Sequence, residues 1–188
     1  MSEPGLMVFP EYCVTERLKG DRPTPSDFAD YCLLFQDARV TETLTLDGQP
    51  LPLDQIQARF KTHLKRWEKL GFGVWMFREQ ATNQFVGYCG FRIYLLNETE
   101  IELMYALITD AWGKGYATEM AKACVQLGFE RLEYDSIVGL TLERNQASQH
   151  VLEKAGLMYE AHKQYRGLPH MAYRLTRDAW KNRQHPIN

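Results

Sequence analysis

The stretch "DAWGKGYATEM" at residues 110–120 sets two glycines around a lysine and continues with helix-forming residues. Glycine has no Cβ, so Gly113 and Gly115 allow a positive φ or a close approach of the backbone to a ligand. The first N–H groups of a helix have no partner within the helix, and together with the helix dipole they attract anions. The stretch therefore predicts either a phosphate-binding turn or a plain connection between a strand and a helix.

Two common phosphate motifs fit this turn poorly. A Walker loop needs serine or threonine after its lysine, but Gly115 follows Lys114. A dinucleotide-binding G-x-G-x-x-G is met at Gly113 and Gly115, but Thr118 stands in place of the third glycine. A pyrophosphate against the amides of residues 113–118 would still gain charge from Lys114 and a further donor from Thr118.

Composition limits the classes of protein to which the chain can belong. Its 188 residues suit one domain, and 45% of them are apolar, which supports a packed core. The net charge of -2 argues against non-specific binding to nucleic acid. The start, "MSEPGLMVFPEY", is unlike a signal peptide, and no apolar run approaches the ~20 residues of a membrane helix. We expect a cytoplasmic protein with neither a membrane nor a nucleic-acid partner.

The cysteines and histidines show no metal-binding or redox spacing. Cys13, Cys32, Cys89 and Cys124 lie far apart without a C-x-x-C pair, and the five histidines are equally scattered. Reduced thiols and the absence of a metal are the expectation.

Hydrophobic periodicity predicts seven strands and four helices in a single domain over residues 1–188, with a core at about 14–175 and a frayed polar tail, "KNRQHPIN". The clearest helix carries apolar residues at steps of three and four and ends at Gly71. Three meandering strands and a βαβ crossover predict a mixed α/β sheet with helices on its faces. The predicted strands are 13–21, 72–79, 84–96, 99–108, 136–142, 157–165 and 170–176, and the predicted helices are 25–37, 53–71, 116–131 and 145–156.

Several stretches resemble, in the right order, the GNAT superfamily and specifically its RimJ/RimL-like branch of N-acetyltransferases. "AWGKGYATEM" is similar to the family's [QR]-x-x-G-x-[GA] pyrophosphate loop, with Trp112 in the Gln/Arg position and Gly115 and Ala117 in the later two. The resemblance covers about residues 14–175. The other matching stretches are "TERLKGDRPTPSDFADY" (15–31), "FVGYCGF" (85–91), "EIELMYAL" (100–107) and "NQASQHVLEKAGL" (145–157).

The resemblance implies the GNAT fold, a mixed and mostly antiparallel seven-stranded sheet flanked by helices and splayed between its fourth and fifth strands. Acetyl-CoA would lie in that cleft as co-substrate, with no metal. Loop amides would hold its pyrophosphate, and the backbone of residues 105–107 would pair with its pantetheine arm. The implied cofactor-binding residues are Tyr105, Ala106, Leu107, Trp112, Gly113, Lys114, Gly115, Tyr116, Ala117, Thr118, Asn145 and Ser148.

Acetyl transfer from a thioester requires a neutral amine and a polarised carbonyl. The backbone N–H of Leu107 is the candidate for polarising the carbonyl. Glu102 is the first candidate for the base, because the family often carries a carboxylate on this strand. Glu100 shares its face and is a weaker candidate. The alternative is that Glu102 is an exposed glutamate on the sheet surface.

Asn145 and Ser148 lie one turn apart at the start of a predicted helix. Asn145 suits a helix cap, and the resemblance adds a bond to the pantetheine. Ser148 would lie near the CoA sulfur. Many relatives carry a tyrosine as general acid at the position of Leu152, which cannot donate a proton. Either Ser148 takes this role or the thiolate leaves unaided, which a thiol pKa of about 8.5 allows.

The implied activity is direct transfer of an acetyl group to a primary amine in a ternary complex. A protein N-terminus, a polyamine, an amino acid and an aminoglycoside antibiotic all remain open as acceptors. Glu100 and Glu102 would suit a cationic one. The rivals are a non-catalytic acyl-CoA-binding domain and a dinucleotide-binding module. Dimers are common in the family, although nothing in the sequence itself indicates a homodimer.

Overall fold

The computed structural model describes residues 9–94 and 100–184, which fold into one mixed sheet with helices on both faces. The strands are β1 (Tyr12–Val14), β2 (Leu18–Asp21), β3 (Val74–Glu79), β4 (Phe85–Ile93), β5 (Ile101–Leu107), β6 (Ser136–Leu142), β7 (Met158–Tyr165) and β8 (Leu168–Thr176). The helices are α1 (Phe28–Gln36), α2 (Ala38–Leu44), α3 (Leu53–Leu70), α4 (Tyr116–Arg131), α5 (Gln146–Lys154) and α6 (Arg177–Gln184).

The described residues form an eight-stranded sheet in the order β1-β2-β3-β4-β5-β6-β8-β7. Every neighbouring pair is antiparallel except β5 and β6, so the predicted mixed and mostly antiparallel sheet is confirmed. The count is eight rather than seven because the first predicted strand, 13–21, is divided by a turn. At this turn both the backbone N–H and the hydroxyl of Thr15 donate to the carbonyl of Leu18.

The sheet opens between β5 and β6. Only Ile101 pairs with Ile137 and Glu102 with Val138, whereas β4 stays paired with β5 along the whole of 101–107. This opening confirms the splay predicted between the fourth and fifth predicted strands. It leaves one edge of β5 without a partner strand beyond Glu102.

Two apolar clusters pack on the faces of the sheet. The first is filled mainly from α4, α5 and the strands, with Phe91, Met120 and Leu152 at its centre. The second joins α1, α2 and α3 to the other face, with Tyr31, Phe60 and Tyr88 among its buried side chains. All four cysteines are buried and none forms a disulfide.

The helix predicted at 53–71 is confirmed as α3, which ends where Gly71 takes a left-handed φ of 71°. Its apolar stripe is shorter than the pattern suggests. Ile56, Phe60 and Trp67 are buried, but Leu53 and Leu70, at the two ends, are exposed. None of the described helices is long and apolar enough to cross a membrane.

Hydrophobic periodicity did not predict two short helices, α2 and α6. α2 begins after Asp37, whose side chain accepts from the Arg39 N–H at 2.9 Å, and seven residues are too few to show a repeat. α6 includes residues 181–184 of the tail that was expected to fray, and the ring of Trp180 stacks on Phe129 at 5.2 Å. The rest of that tail lies outside the described residues.

The ring of Phe91 is fully buried where the first cluster meets the sheet. We expect Phe91→Ala to lower the free energy of unfolding by about 3–5 kcal/mol, since it removes transfer free energy and leaves a cavity. Urea denaturation measures this change. Leu53→Ala, at an exposed position, is the control and should change stability by less than about 0.5 kcal/mol. Equal effects of the two substitutions would contradict this assignment of the core.

Candidate active site

The loop before α4 is built around two glycines in the left-handed region. Gly113 has a φ of 73° and Gly115, which caps α4, has a φ of 79°. A Cβ at Gly113 would meet no atom within 4 Å, and one at Gly115 would meet only the Arg17 guanidinium at 3.6 Å. The backbone conformation, rather than a lack of space, therefore requires glycine at these positions.

The loop presents a row of free amides. In the described part of the chain, none of the backbone N–H groups of residues 113–118 donates a hydrogen bond; the first amide of α4 that does so belongs to Glu119. The Thr118 hydroxyl likewise makes no hydrogen bond to any residue that the structure describes. Amides without partners at the positive end of a sixteen-residue helix form a cradle for an anion.

Arg17 holds this loop in place. Its guanidinium donates to the Lys114 carbonyl at 2.9 Å and to a Glu119 oxygen at 2.7 Å. The Arg17 N–H and the Thr15 hydroxyl bind the other Glu119 oxygen, at 2.9 and 2.6 Å. In the sequence these residues are predicted only as parts of the first strand and of α4. The contact between them was not predicted, because roughly a hundred residues separate Arg17 from Glu119.

Trp112 and Tyr116 fix the rest of the loop. The indole N–H of Trp112 donates to the Leu107 carbonyl at 3.0 Å, and the Tyr116 hydroxyl donates to Glu79. The Lys114 ammonium lies 5.9 Å from the centroid of the Tyr116 ring. The tryptophan in the loop therefore ties the turn to the end of β5.

The open edge of β5 exposes alternate backbone groups. The Ile108 N–H donates to Val86 on the β4 side, and antiparallel pairing alternates from there. The groups of Ala106 consequently point to β4, and those of Tyr105 and Leu107 point into the gap. The predicted pairing with a pantetheine arm thus narrows to Tyr105 and Leu107. The Leu107 carbonyl already accepts from Trp112, which leaves its N–H for a ligand.

Loop, open edge and α5 line one cleft of about 880 Å³. Among the predicted cofactor-binding residues, only Lys114, whose side chain is exposed, does not line it. No three His, Cys, Asp or Glu side chains in the described residues are grouped to hold a metal ion. The predicted residues that the cleft brings together are Glu102, Tyr105, Ala106, Leu107, Trp112, Gly113, Gly115, Tyr116, Ala117, Thr118, Asn145 and Ser148.

Glu102 is 4% exposed and not a surface glutamate. Its two carboxylate oxygens accept from Arg92 on β4, at 2.9 and 2.7 Å. Burial raises the pKa of Glu102 above its ordinary value, and the charge of Arg92 opposes this shift. Glu100 does not line the cleft and is bound to Arg174 and to the Ser136 hydroxyl.

Ser148 faces a hydroxyl that the sequence analysis did not consider. The Ser148 Oγ lies 2.8 Å from the Tyr105 Oη, which also lies 3.0 Å from the Ser148 carbonyl oxygen. Burial raises the pKa of Tyr105, so this phenol keeps its proton at neutral pH. The Asn145 Oδ1 accepts from the Ser148 N–H at 3.0 Å, which confirms its role as a helix cap. Leu152 is buried beside the pair.

Comparison with known proteins gives one family. Residues 17–158 match the family described as "Acetyltransferase (GNAT) domain". YkkB of Bacillus subtilis is 33% identical over 109 residues, which are 56% of this chain and 63% of YkkB. The chain therefore spans less than two thirds of that relative.

Solved structures agree on the fold. An acetyltransferase from Agrobacterium tumefaciens superposes with a TM-score of 0.76 at 26% identity, over 93% of this chain and 95% of its own. RimL, the ribosomal L7/L12 alpha-N-protein acetyltransferase solved with coenzyme A, gives 0.72 at 17% identity, over 91% and 98%. At that identity the likeness to RimL shows the fold alone.

The Arg92–Glu102 pair generates a pH-dependent prediction. Arg92→Gln leaves the buried Glu102 carboxylate without its hydrogen-bonded countercharge, so its pKa rises further in the folded state. When folding raises the pKa of a carboxyl, the folded protein becomes less stable as the pH rises above the pKa of that group in the unfolded chain, about 4.3. We expect a loss of about 3–5 kcal/mol near pH 8.

The loss should be much smaller near pH 4.5, where protonation of Glu102 removes the buried charge. Urea denaturation at the two pH values measures the difference. The double variant Arg92→Gln/Glu102→Gln is the control, because it has no buried charge and should lose the pH dependence. A loss of equal size at both pH values would contradict this reading of the pair.

Proposed function

Because the chain belongs to the GNAT acetyltransferase domain family, we propose that it transfers the acetyl group of acetyl-CoA to a primary amine and lies in the RimJ/RimL-like branch. The observation that carries this proposal is the row of unbonded amides at residues 113–118, beside the open edge of β5. A ligand with a diphosphate followed by a thin polar arm would fit both features: the diphosphate would lie against the loop amides and the arm along the open edge of β5. A mid-chain loop after a meander speaks against a dinucleotide site.

The unbonded loop amides and the open edge of β5 match the diphosphate and the pantetheine arm of coenzyme A in chemistry. The amides of the loop would bind the pyrophosphate, and Lys114 and Thr118 would add a charge and a hydroxyl at the rim. Tyr105 and Leu107 offer backbone groups to the amides of the pantetheine arm, and the Asn145 side chain borders the same gap. When bound, acetyl-CoA supplies an activated thioester.

In the proposed reaction the amine nitrogen attacks the thioester carbonyl carbon, the C–S bond breaks and the thiolate leaves. Glu102 accepts the proton of the amine, and its raised pKa makes it a stronger base than an exposed carboxylate. Leu107, the candidate for polarising the carbonyl, lies five residues from Glu102 along β5, about 17 Å, so we assign its N–H to the pantetheine arm instead. Ser148 returns a proton to the thiolate and is itself hydrogen-bonded to the Tyr105 hydroxyl.

The two groups proposed to handle protons project to opposite faces of the sheet. Glu102 projects from β5 toward α3, while Tyr105 projects to the opposite face and reaches α5. A ternary complex in which acceptor and thioester approach the gap from the two faces would use both.

With four buried reduced thiols, we place the protein in the cytoplasm.

Binding of acetyl-CoA can be tested without knowing the acceptor. We expect a hundredfold excess over the dissociation constant to stabilise the protein by about 2.7 kcal/mol, seen as a rise of several degrees in Tm. Gly113→Val should abolish the shift, because a β-branched residue does not adopt this φ. Gly113→Asn, which tolerates the left-handed region, is the matched control and should retain much of it. A shift with NAD(H) and none with any CoA ester would refute the proposal.

The hydroxyl pair predicts a loss of turnover. We expect Ser148→Ala to lower kcat by about tenfold to a hundredfold while KM for acetyl-CoA stays within about twofold, because general-acid help is modest for a thiol leaving group. Tyr105→Phe should give a smaller loss. Thiol release from acetyl-CoA measures both. An unchanged kcat in the two variants would mean that the thiolate leaves unaided, and thiol release absent from the wild type with every amine would favour a non-catalytic domain.

A further inference from the structure

One face of α3 carries cationic and polar side chains into the cleft. Arg59, His63 and Arg66 follow at steps of four and three, which places them on one side of the helix, and all three line the cleft. Arg92 reaches the same region from β4. We call Arg59, His63 and Arg66 the α3 cationic face. It lies opposite Glu102.

The charges that line the cleft do not balance. Its arginines are Arg39, Arg59, Arg66, Arg92 and Arg166, and its acids are Glu42 and Glu102. Asp37 binds the first of these arginines, and Glu102 binds the fourth. Within the described part of the chain the other three make no ion pair. The cleft therefore offers positive charge that the protein itself does not neutralise.

Arg66 is the best placed of these cations. It is partly buried, and burial together with the nearby charge of Arg92 lowers its pKa. One of its Nη atoms lies 3.5 Å from the Nδ1 of His63. Burial lowers the pKa of His63 to about 3, so the imidazole is neutral and has one donor and one acceptor nitrogen. With Nδ1 facing Arg66, Nε2 donates to the Tyr31 hydroxyl at 3.1 Å and holds the ring in place.

A second donor near this face has no partner. Tyr88 on β4 is 3% exposed and lines the cleft, yet its hydroxyl makes no hydrogen bond to any residue that the structure describes. Burial raises the pKa of Tyr88 to about 12, so the hydroxyl keeps its proton. The charges of Arg92 and Arg59 lie close enough to act on it. The hydroxyl opens into the cleft, where a ligand oxygen would accept its hydrogen bond.

This region is separate from the phosphate cradle. Glu102 and Leu107 lie five residues apart on an extended strand, which is about 17 Å. Arg66 and Arg92 act on the Glu102 carboxylate, and the free amides follow the Leu107 end. Tyr88, which pairs with Ala106 in the strand register, stands between the two. Positive charge at this point serves the acceptor side of the cleft rather than the phosphates of the cofactor.

We propose that the acceptor is a small amine that also carries a carboxylate or phosphate, and that Arg66, assisted by Arg59 and the Tyr88 hydroxyl, binds this anionic group while the amine faces Glu102. The inference rests on the proposed function and names its substrate class. It disfavours polyamines, which would bring positive charge to Arg66. Arg66 acts here as a binding residue for the acceptor and takes no part in proton transfer.

The test compares amines matched in length that differ only in the distal group. Aminoalkyl carboxylates, aminoalkyl phosphates, the corresponding amino alcohols and spermidine are assayed by thiol release from acetyl-CoA. We expect one of the two anionic series to be acetylated with the highest kcat/KM. Arg66→Gln should raise KM for that series about tenfold or more, since a charged hydrogen bond is lost, and should leave the amino alcohols unchanged. Lys65→Gln, at the exposed neighbouring position outside the cleft, is the matched control and should behave as wild type.

Calorimetric titration of the anionic amines into the protein–CoA complex gives a readout that does not need turnover. Binding to the wild type that Arg66→Gln abolishes and Lys65→Gln retains would support the inference. Preference for spermidine or the amino alcohols, or an unchanged KM in Arg66→Gln, would overturn it while leaving the acetyltransferase proposal intact. Failure of acetyl-CoA itself to bind would instead remove the proposed function and the inference with it.

Discussion

The early end of pairing between β5 and β6 is the constraint on which the site depends. After Glu102 the two strands part, so the backbone groups of Tyr105 and Leu107 on that side have no partner strand. Buried backbone groups need hydrogen bonds, and Trp112 supplies one to the Leu107 carbonyl. The remaining groups are available to an extended ligand that lies where a strand would otherwise be. The cleft is therefore the gap that opens where β6 stops pairing with β5.

Alternate side chains of β5 point to opposite faces of the sheet, which separates the polar groups of the cleft. Glu102 projects to the face covered by α3, where Arg92 and Arg66 lie, whereas Tyr105 projects to the face covered by α5 and meets Ser148. The group proposed to take a proton and the group proposed to return one are thereby separated by the sheet itself and connected through its opening. The α3 cationic face belongs to the first side only, which would keep the proposed recognition of the acceptor apart from the proposed binding of coenzyme A.

Local signals predicted the parts of the fold that are repetitive or conformationally demanding. The bounds of α4 and β6 agree with the predicted ones, and the two glycines of the loop have the positive φ that the turn suggested. Contacts between distant segments could not be predicted in this way. No spacing rule connects Arg17 with Glu119, and the Arg92–Glu102 pair depends on a strand register that the sequence leaves open. The role of Tyr105 was missed because only its backbone was considered.

The charges that line the cleft show why counting charges along a strand does not fix the sign of a site. Glu100 and Glu102 are neighbours on one face in sequence and would together attract a cation. In the folded chain each is bound to an arginine from another strand, Arg174 and Arg92. Among the residues that the structure describes, the arginines of α3, which in a helical pattern resemble an ordinary solvated face, line the cleft without an ion pair, as does Arg166. The sign of the site is thus decided by which charges are paired, and pairing is a property of the tertiary structure.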